Sequence, residues 1–141
     1  MVPKTLLSLI ENSEYLKTVS DLYSSNGYEF YLVGGAVRDG ILDIETTDFD
    51  FTTNASPEES IDLLNNNGYK TTEIGRAFGT IELQIENNSL HITTYRKDTY
   101  EISSRNPSIE SATDLETDLS RRDFTINSIA YSIDANELID P

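Results

Sequence analysis

Residues 31–50, YLVGGAVRDGILDIETTDFD, decide how the chain is read. An apolar run from Phe30 to Val33 stops at Gly34-Gly35. Ala36, Val37, Ile41 and Leu42 then recur at helical spacing. The stretch closes on Asp48-Phe49-Asp50-Phe51, where a strand would turn both Asp to one face and both Phe to the other. Two carboxylates about 7 Å apart on one face suit a hard cation that prefers oxygen ligands. A Gly-Gly turn opening a helix beside them offers backbone N–H groups to a phosphate. A lone Asp-x-Asp is ordinarily a solvated strand face. The combination points to a site for a metal–nucleotide complex.

Rival readings of the same residues fail at identifiable positions. The glycine pair alone reads equally well as a tight strand-to-helix turn. Gly35 and Gly40 match the outer glycines of a P-loop, but Ile41-Leu42 stand where Lys-Ser/Thr is required. A dinucleotide fingerprint fails on the spacing of its third glycine. An EF-hand counted from Asp48 would put Glu59 at its last ligand position, yet Thr53 occupies the place that needs glycine, and Thr52 replaces a ligand.

The chain has 141 residues, enough for one domain with a proper core and not for two. It lacks an 18-residue apolar run, a signal peptide and a basic targeting helix, so no membrane is expected. Zero cysteines exclude a disulfide framework or thiolate metal site and fit a reducing, cytoplasmic location. A net charge of −15 argues against a domain that holds nucleic acid by bulk electrostatics, and DNA is not an expected partner. Charge is uneven, however. Arg96, Lys97, Arg105, Arg121 and Arg122 fall close together in sequence.

Taken in order, residues 1–28 read as a helical segment. Leu6, Leu7 and Ile10, then Leu16, Val19, Leu22 and Tyr23, set the period, Ser13 is a candidate N-cap between two helices, and Asn26-Gly27 is the stop. Ser56-Pro57-Glu58-Glu59 is a helix start. The helix runs to about Asn66 and buries Ile61, Leu64 and Leu63, and Gly68 ends it. A short strand is expected near residues 69–73 and a turn at 75–79. Strands 80–86 and 90–95 follow, joined as a hairpin at Asn87-Asn88, with Ile81, Leu83 and Ile85 inward. Residues 96–113 lose the apolar pattern and read as a long mobile loop. Leu115 and Leu119 mark a helical turn before Arg121-Arg122-Asp123. Phe124, Ile126, Ile129 and Ala130 supply a core face, and residues 130–140 form two short strands around Asp134-Ala135-Asn136.

Two long motifs now carry a resemblance. YLVGGAVRDGIL…DFDFTTNASPEE resembles the first motif of the class II tRNA nucleotidyltransferases, the CCA-adding enzymes, and of the related bacterial poly(A) polymerases. DLSRRDFTINSIAY resembles their second. GTIEL, LHITTYR, Tyr100 and Arg105-Asn106-Pro107 follow in the same order between them. The resemblance covers residues 29–141 and implies that 1–141 is a nucleotidyltransferase head domain, an α/β (α+β) mixed sheet flanked by helices and related to that of DNA polymerase β. It implies Mg²⁺-dependent transfer of CMP and AMP from CTP and ATP to the 3′-hydroxyl of tRNA. Carried over by position, Asp48 and Asp50 are the catalytic, metal-binding carboxylates, and Gly34, Gly35, Arg38 and Arg122 contact the nucleotide. The forked guanidinium of arginine suits phosphate oxygens. Asp123 reads equally as a helix cap or as an arginine's ion-pair partner, and Asp39 reads as structural. Adjacent helical residues do not share a face, so Arg121 and Arg122 do not both point at the site.

Two departures stand out. His91 occupies a strand position where the family carries an acidic residue, and reads either as a neutral substitute in the metal shell or as a hydrogen-bonding strand residue. The family also continues past Asp140-Pro141 into neck, body and tail domains that select the base and hold tRNA. Those domains are expected to be absent, so contact with the tRNA 3′ end falls mainly to missing parts. Poly(A) polymerase is the alternative within the class. An antitoxin-type minimal nucleotidyltransferase would carry Gly-Ser in place of Gly34-Gly35. From another class, the chain reads as a non-catalytic nucleotide-binding module that keeps the fold.

Overall fold

Phe49 and Phe51 are fully buried, whereas Asp48 and Asp50 on the same strand are exposed. This is the expected two-faced pattern, and the sheet is arranged around it. The computed structural model describes residues 3–42, 48–74, 79–99, 108–111, 115–120 and 129–139. Its elements run α1 (Lys4–Glu11), α2 (Glu14–Ser25), β1 (Phe30–Val33), α3 (Gly35–Ile41), β2 (Asp48–Thr53), α4 (Pro57–Asn65), β3 (Thr71–Ile74), β4 (Thr80–Ile85), β5 (Asn88–Thr94), β6 (Arg96–Thr99), β7 (Ser108–Ser111), α5 (Leu115–Ser120), β8 (Ala130–Ser132) and β9 (Glu137–Ile139). A seven-stranded sheet has the order β3-β4-β5-β2-β1-β8-β9. Within it β2 and β5 are parallel and every other pair is antiparallel. The expected mixed sheet with flanking helices is found.

One face of the sheet carries the main core. Phe30, Leu32, Phe49, Phe51, Ile81, Leu83, Leu90, Ile92 and Tyr131 pack against Leu6, Leu16, Val19, Tyr23, Val37 and Leu64 of the helices. Tyr23, Phe30 and Phe51 stack in series, with ring centroids 4.3 and 4.4 Å apart. Burying each such side chain contributes about 1.5–3 kcal/mol. The opposite face holds a smaller cluster of Val33, Tyr95, Leu115, Leu119 and Ala130. There the Tyr95 hydroxyl donates to Glu29 Oε1 at 2.7 Å. Burial, and then this carboxylate, hold that hydroxyl well above the usual tyrosine range.

Helices α2 and α4 end in the same way. Gly27 and Gly68 adopt φ of +82° and +88°. The following N–H groups, of Tyr28 and Tyr69, return to the carbonyls of Tyr23 and Leu64 at 3.0 Å each. These are Schellman closures. They explain why β3 begins at Thr71 and not near residue 69, since the Tyr69 N–H is already committed to the helix end. Helix α4 starts as expected, with a complete capping box between Ser56 and Glu59. Ser13 does stand between α1 and α2, but its side chain makes no capping hydrogen bond.

Other expectations are corrected. The hairpin turn is Glu86-Asn87, not Asn87-Asn88, with φ of +50° and +68°. Residues 96–113 are not loop throughout, because β6 and β7 pair there as an antiparallel ribbon. Leu42 is 58% exposed, since α3 stops one residue before it. Residues 75–78, Phe124 and Ile126 lie outside the described residues.

Three substitutions test this scaffold. Gly34, at φ +71° and ψ −143°, occupies a region essentially reserved for glycine. Gly34→Ala should cost about 1–3 kcal/mol of unfolding free energy in urea. Ser56→Ala should cost about 1 kcal/mol through the lost cap. The Glu59 carboxyl is held below the usual range by the Ser56 N–H and then by the Tyr28 hydroxyl. Its stabilisation is therefore present above the unfolded carboxylate value and lost as pH falls through the folded one. Urea titrations at a series of pH values should show the deficit of Glu59→Gln shrinking below about pH 4.

Candidate functional site

The site forms where β1 runs out. Val33 pairs with Asp50 across the β1–β2 ladder, so the chain passes Asp50 as it enters the glycine turn. A Cβ on Gly34 would lie 3.8 Å from Asp50 Oδ2, which places the carboxylate against this glycine. A Cβ on Gly35 would lie 3.2 Å from Arg38 Nη2, so the guanidinium folds back over the turn. Asp39 holds Arg38 in place, with Nε 3.2 Å from its Oδ1, in keeping with a structural role for Asp39. Asp48, Asp50, Gly34, Gly35 and Arg38 are thus gathered around one turn and the strand beside it. Arg122, with Arg121 and Asp123, lies outside the described residues.

Asp50 faces His91 across the parallel β2–β5 pair, and His91 faces Glu82 across the β4–β5 hairpin. His91 Nδ1 lies 3.5 Å from Asp50 Oδ1, and Nε2 lies 3.0 Å from Glu82 Oε2. His91 therefore sits on the carboxylate face. The hydrogen bond from His91, then one from Gln84, hold the Glu82 carboxyl below the usual range. Glu82 was missed by sequence reasoning, because only the hairpin register reveals it. A second missed contact lies beneath the same face, where the Thr52 hydroxyl donates to Asp118 Oδ2 at 3.2 Å and ties α5 to β2. Both residues are fully buried.

Asp48 and Asp50 present oxygen donors from an exposed face, a donor type suited to a hard divalent cation. Among the described residues no group of three or more His, Cys, Asp or Glu is arranged to hold a metal ion. A groove of about 530 Å³ between α1, α2 and the β8–β9 turn shares none of these residues. No described helix is long and apolar enough to cross a membrane.

Known proteins of the same pattern place the chain. Residues 30–141 match the family described as Poly A polymerase head domain. The CCA-adding enzyme of Staphylococcus haemolyticus (strain JCSC1435) is 37% identical over 121 residues, which is 85% of this chain and 29% of that enzyme. The crystal structure of the Bacillus stearothermophilus CCA-adding enzyme in complex with CTP superimposes with a TM-score of 0.76 at 32% identity, over 92% of this chain and 29% of that one. A tRNA nucleotidyltransferase complexed with a primer tRNA and an incoming ATP analog gives 0.65 at 33% identity, over 87% and 34%. The chain thus spans about a third or less of the proteins it resembles. With its mixed sheet, its glycine turn and its Asp-x-Asp strand, the chain belongs to the poly(A) polymerase head domain family.

Proposed function

We propose that this chain is the catalytic head domain of a CCA-adding tRNA nucleotidyltransferase, transferring CMP and AMP from CTP and ATP to the 3′-hydroxyl of tRNA. The observation that carries the reading is the exposed Asp48/Asp50 pair on β2, set against Gly34 and backed by a buried aromatic face. Relatives 37% and 41% identical to this chain are CCA-adding enzymes. The neighbouring structures with CTP and with primer tRNA supply the substrate classes.

In this reading Asp48 and Asp50 hold divalent cations, expected to be Mg²⁺, and the donor set fits them because both carboxylates are exposed hard oxygen ligands. When bound, the cations would lower the pKa of the attacking hydroxyl and stabilise the developing negative charge. A bond forms between the 3′-oxygen and the α-phosphorus, the α–β phosphoanhydride breaks, pyrophosphate leaves, and the hydroxyl proton passes to solvent. Arg38 is positioned by Asp39 to meet triphosphate oxygens, and Arg122 is assigned the same task by the family motif. Gly34 and Gly35 let the backbone approach the phosphates without a side chain in the way. These contacts address phosphate, so base choice and most of the tRNA grip belong to other parts of the full protein. A cytoplasmic location follows from the same reading.

Poly(A) polymerase is the second reading, favoured by the name of the matched family. Extension of a tRNA lacking its 3′ CCA, set against extension of an oligo(A) primer, separates the two with the full-length protein.

Asp48→Asn and Asp50→Asn should each weaken Mg²⁺-dependent binding of CTP and ATP at least tenfold in calorimetric titrations. Melting temperatures should change little, because both side chains are exposed. Nucleotide binding unchanged in both variants would remove the basis of the proposal.

A further inference from the structure

Asp50, His91 and Glu82 stand side by side on three adjacent strands, each directly opposite the next. The end of this row next to Gly34 is the exposed carboxylate of Asp50, and the far end is Glu82, whose other oxygen accepts from Gln84 Nε2 at 3.1 Å. An ionised carboxylate only accepts hydrogen bonds, so the 3.0 Å contact to Glu82 places a proton on His91 Nε2. In the neutral imidazole the lone pair then lies on Nδ1, the nitrogen turned toward Asp50. Histidines that ligate metals commonly have this arrangement, with the second ring nitrogen donating to a carboxylate that fixes the tautomer and orientation. Distance agrees. Two ligand atoms about 2.1 Å from one cation are about 3.4 Å apart in a tetrahedral site and about 3.0 Å apart in an octahedral one, and Nδ1 and Oδ1 are 3.5 Å apart, nearest the tetrahedral value.

We propose that Asp50 Oδ1 and His91 Nδ1 form a mixed oxygen–nitrogen half-site for a borderline divalent cation such as Mn²⁺, Co²⁺ or Zn²⁺, with Glu82 as the positioning residue behind the imidazole. It rests on the reading of Asp50 as a metal ligand and adds to it a cation preference. Mg²⁺ demands oxygen and keeps its water, whereas imidazole suits the later divalent ions. Two protein ligands leave the remaining positions to water or phosphate oxygens. The competing arrangement is a protonated His91 clamped between two carboxylates, which would repel a cation.

The chain contains one histidine, so in an untagged sample any imidazole signal on a bound ion belongs to His91. The test is pulsed electron paramagnetic resonance of Mn²⁺ bound to the 141-residue chain, read for nitrogen-14 modulation, with calorimetric Mn²⁺ and Mg²⁺ affinities alongside. Imidazole modulation is expected in the natural chain and should vanish in His91→Asp while Mn²⁺ stays bound. The Mn²⁺-over-Mg²⁺ affinity ratio should fall about tenfold in His91→Asp, and Glu82→Gln should keep the modulation while weakening Mn²⁺ about 10–100-fold. Mn²⁺ bound without nitrogen modulation, yet lost in Asp50→Asn, would overturn the half-site and leave the carboxylate reading standing. Mn²⁺ binding indifferent to Asp48→Asn and Asp50→Asn would overturn both.

Discussion

The alternation on β2 is the constraint from which the remaining structure follows. Phe49 and Phe51 are locked into the core, and the strand is hydrogen-bonded on both sides, antiparallel to β1 and parallel to β5. A slip of one residue would bury two carboxylates and expose two aromatic rings, so the register is strongly specified. The same burial holds Asp48 and Asp50 on one face. Two acids that would be free to separate on a flexible loop share one face of this strand because the core fixes its register.

The glycine turn depends on a different set of contacts, which reach outside the matched family region. Helix α3 leans on α1 through Gly40, where an added Cβ would come within 2.7 Å of Leu6 Cδ1 and 3.2 Å of Leu9 Cδ2. The Thr5 hydroxyl also donates to the Ile41 carbonyl at 2.9 Å. Residues before Phe30 fall outside the family match, yet they support the helix that carries Arg38. Gly34 allows the bend, Gly40 allows the close approach, and a buried Leu6 supplies the surface against which α3 rests.

Local chemistry was legible in the sequence. The N-cap at Ser56, the glycine stops at Gly27 and Gly68, and the period-two pattern of Asp48 to Phe51 each depend on a few neighbouring residues, and each appears as expected. So was the gathering of Gly34, Gly35 and Arg38 beside Asp50. What escaped was set by long-range pairing. The ribbon of β6 and β7 has almost no apolar period in the sequence, so its pairing left no local signal to read. Glu82 reads as one more surface acid until β5 is laid between β2 and β4. Asp118, an acid at a fully buried position, was visible only as one polar residue in a helical turn.

The hairpin between β4 and β5 shows how such a distant pairing overrides local preference. A turn at Asn87-Asn88 would use two residues that tolerate positive φ, whereas the observed turn places Glu86 at +50°, a conformation that costs a non-glycine residue about 1–3 kcal/mol. The later turn would leave Ile81 opposite Thr94 and put Gln84 opposite His91. The observed register pairs Ile81 with Ile92 and Leu83 with Leu90 on the buried face, and Glu82 with His91 on the other. The later turn would also keep two apolar matches, Leu83 with Ile92 and Ile85 with Leu90, so what distinguishes the observed register is Glu82 opposite His91, whose charge-assisted hydrogen bond, roughly twice as strong as a neutral one, offsets strain at a single turn residue. The strain at Glu86 therefore has its cause several residues away, beside Asp50, and the conformation of an exposed turn is set by the alignment of the site's third strand.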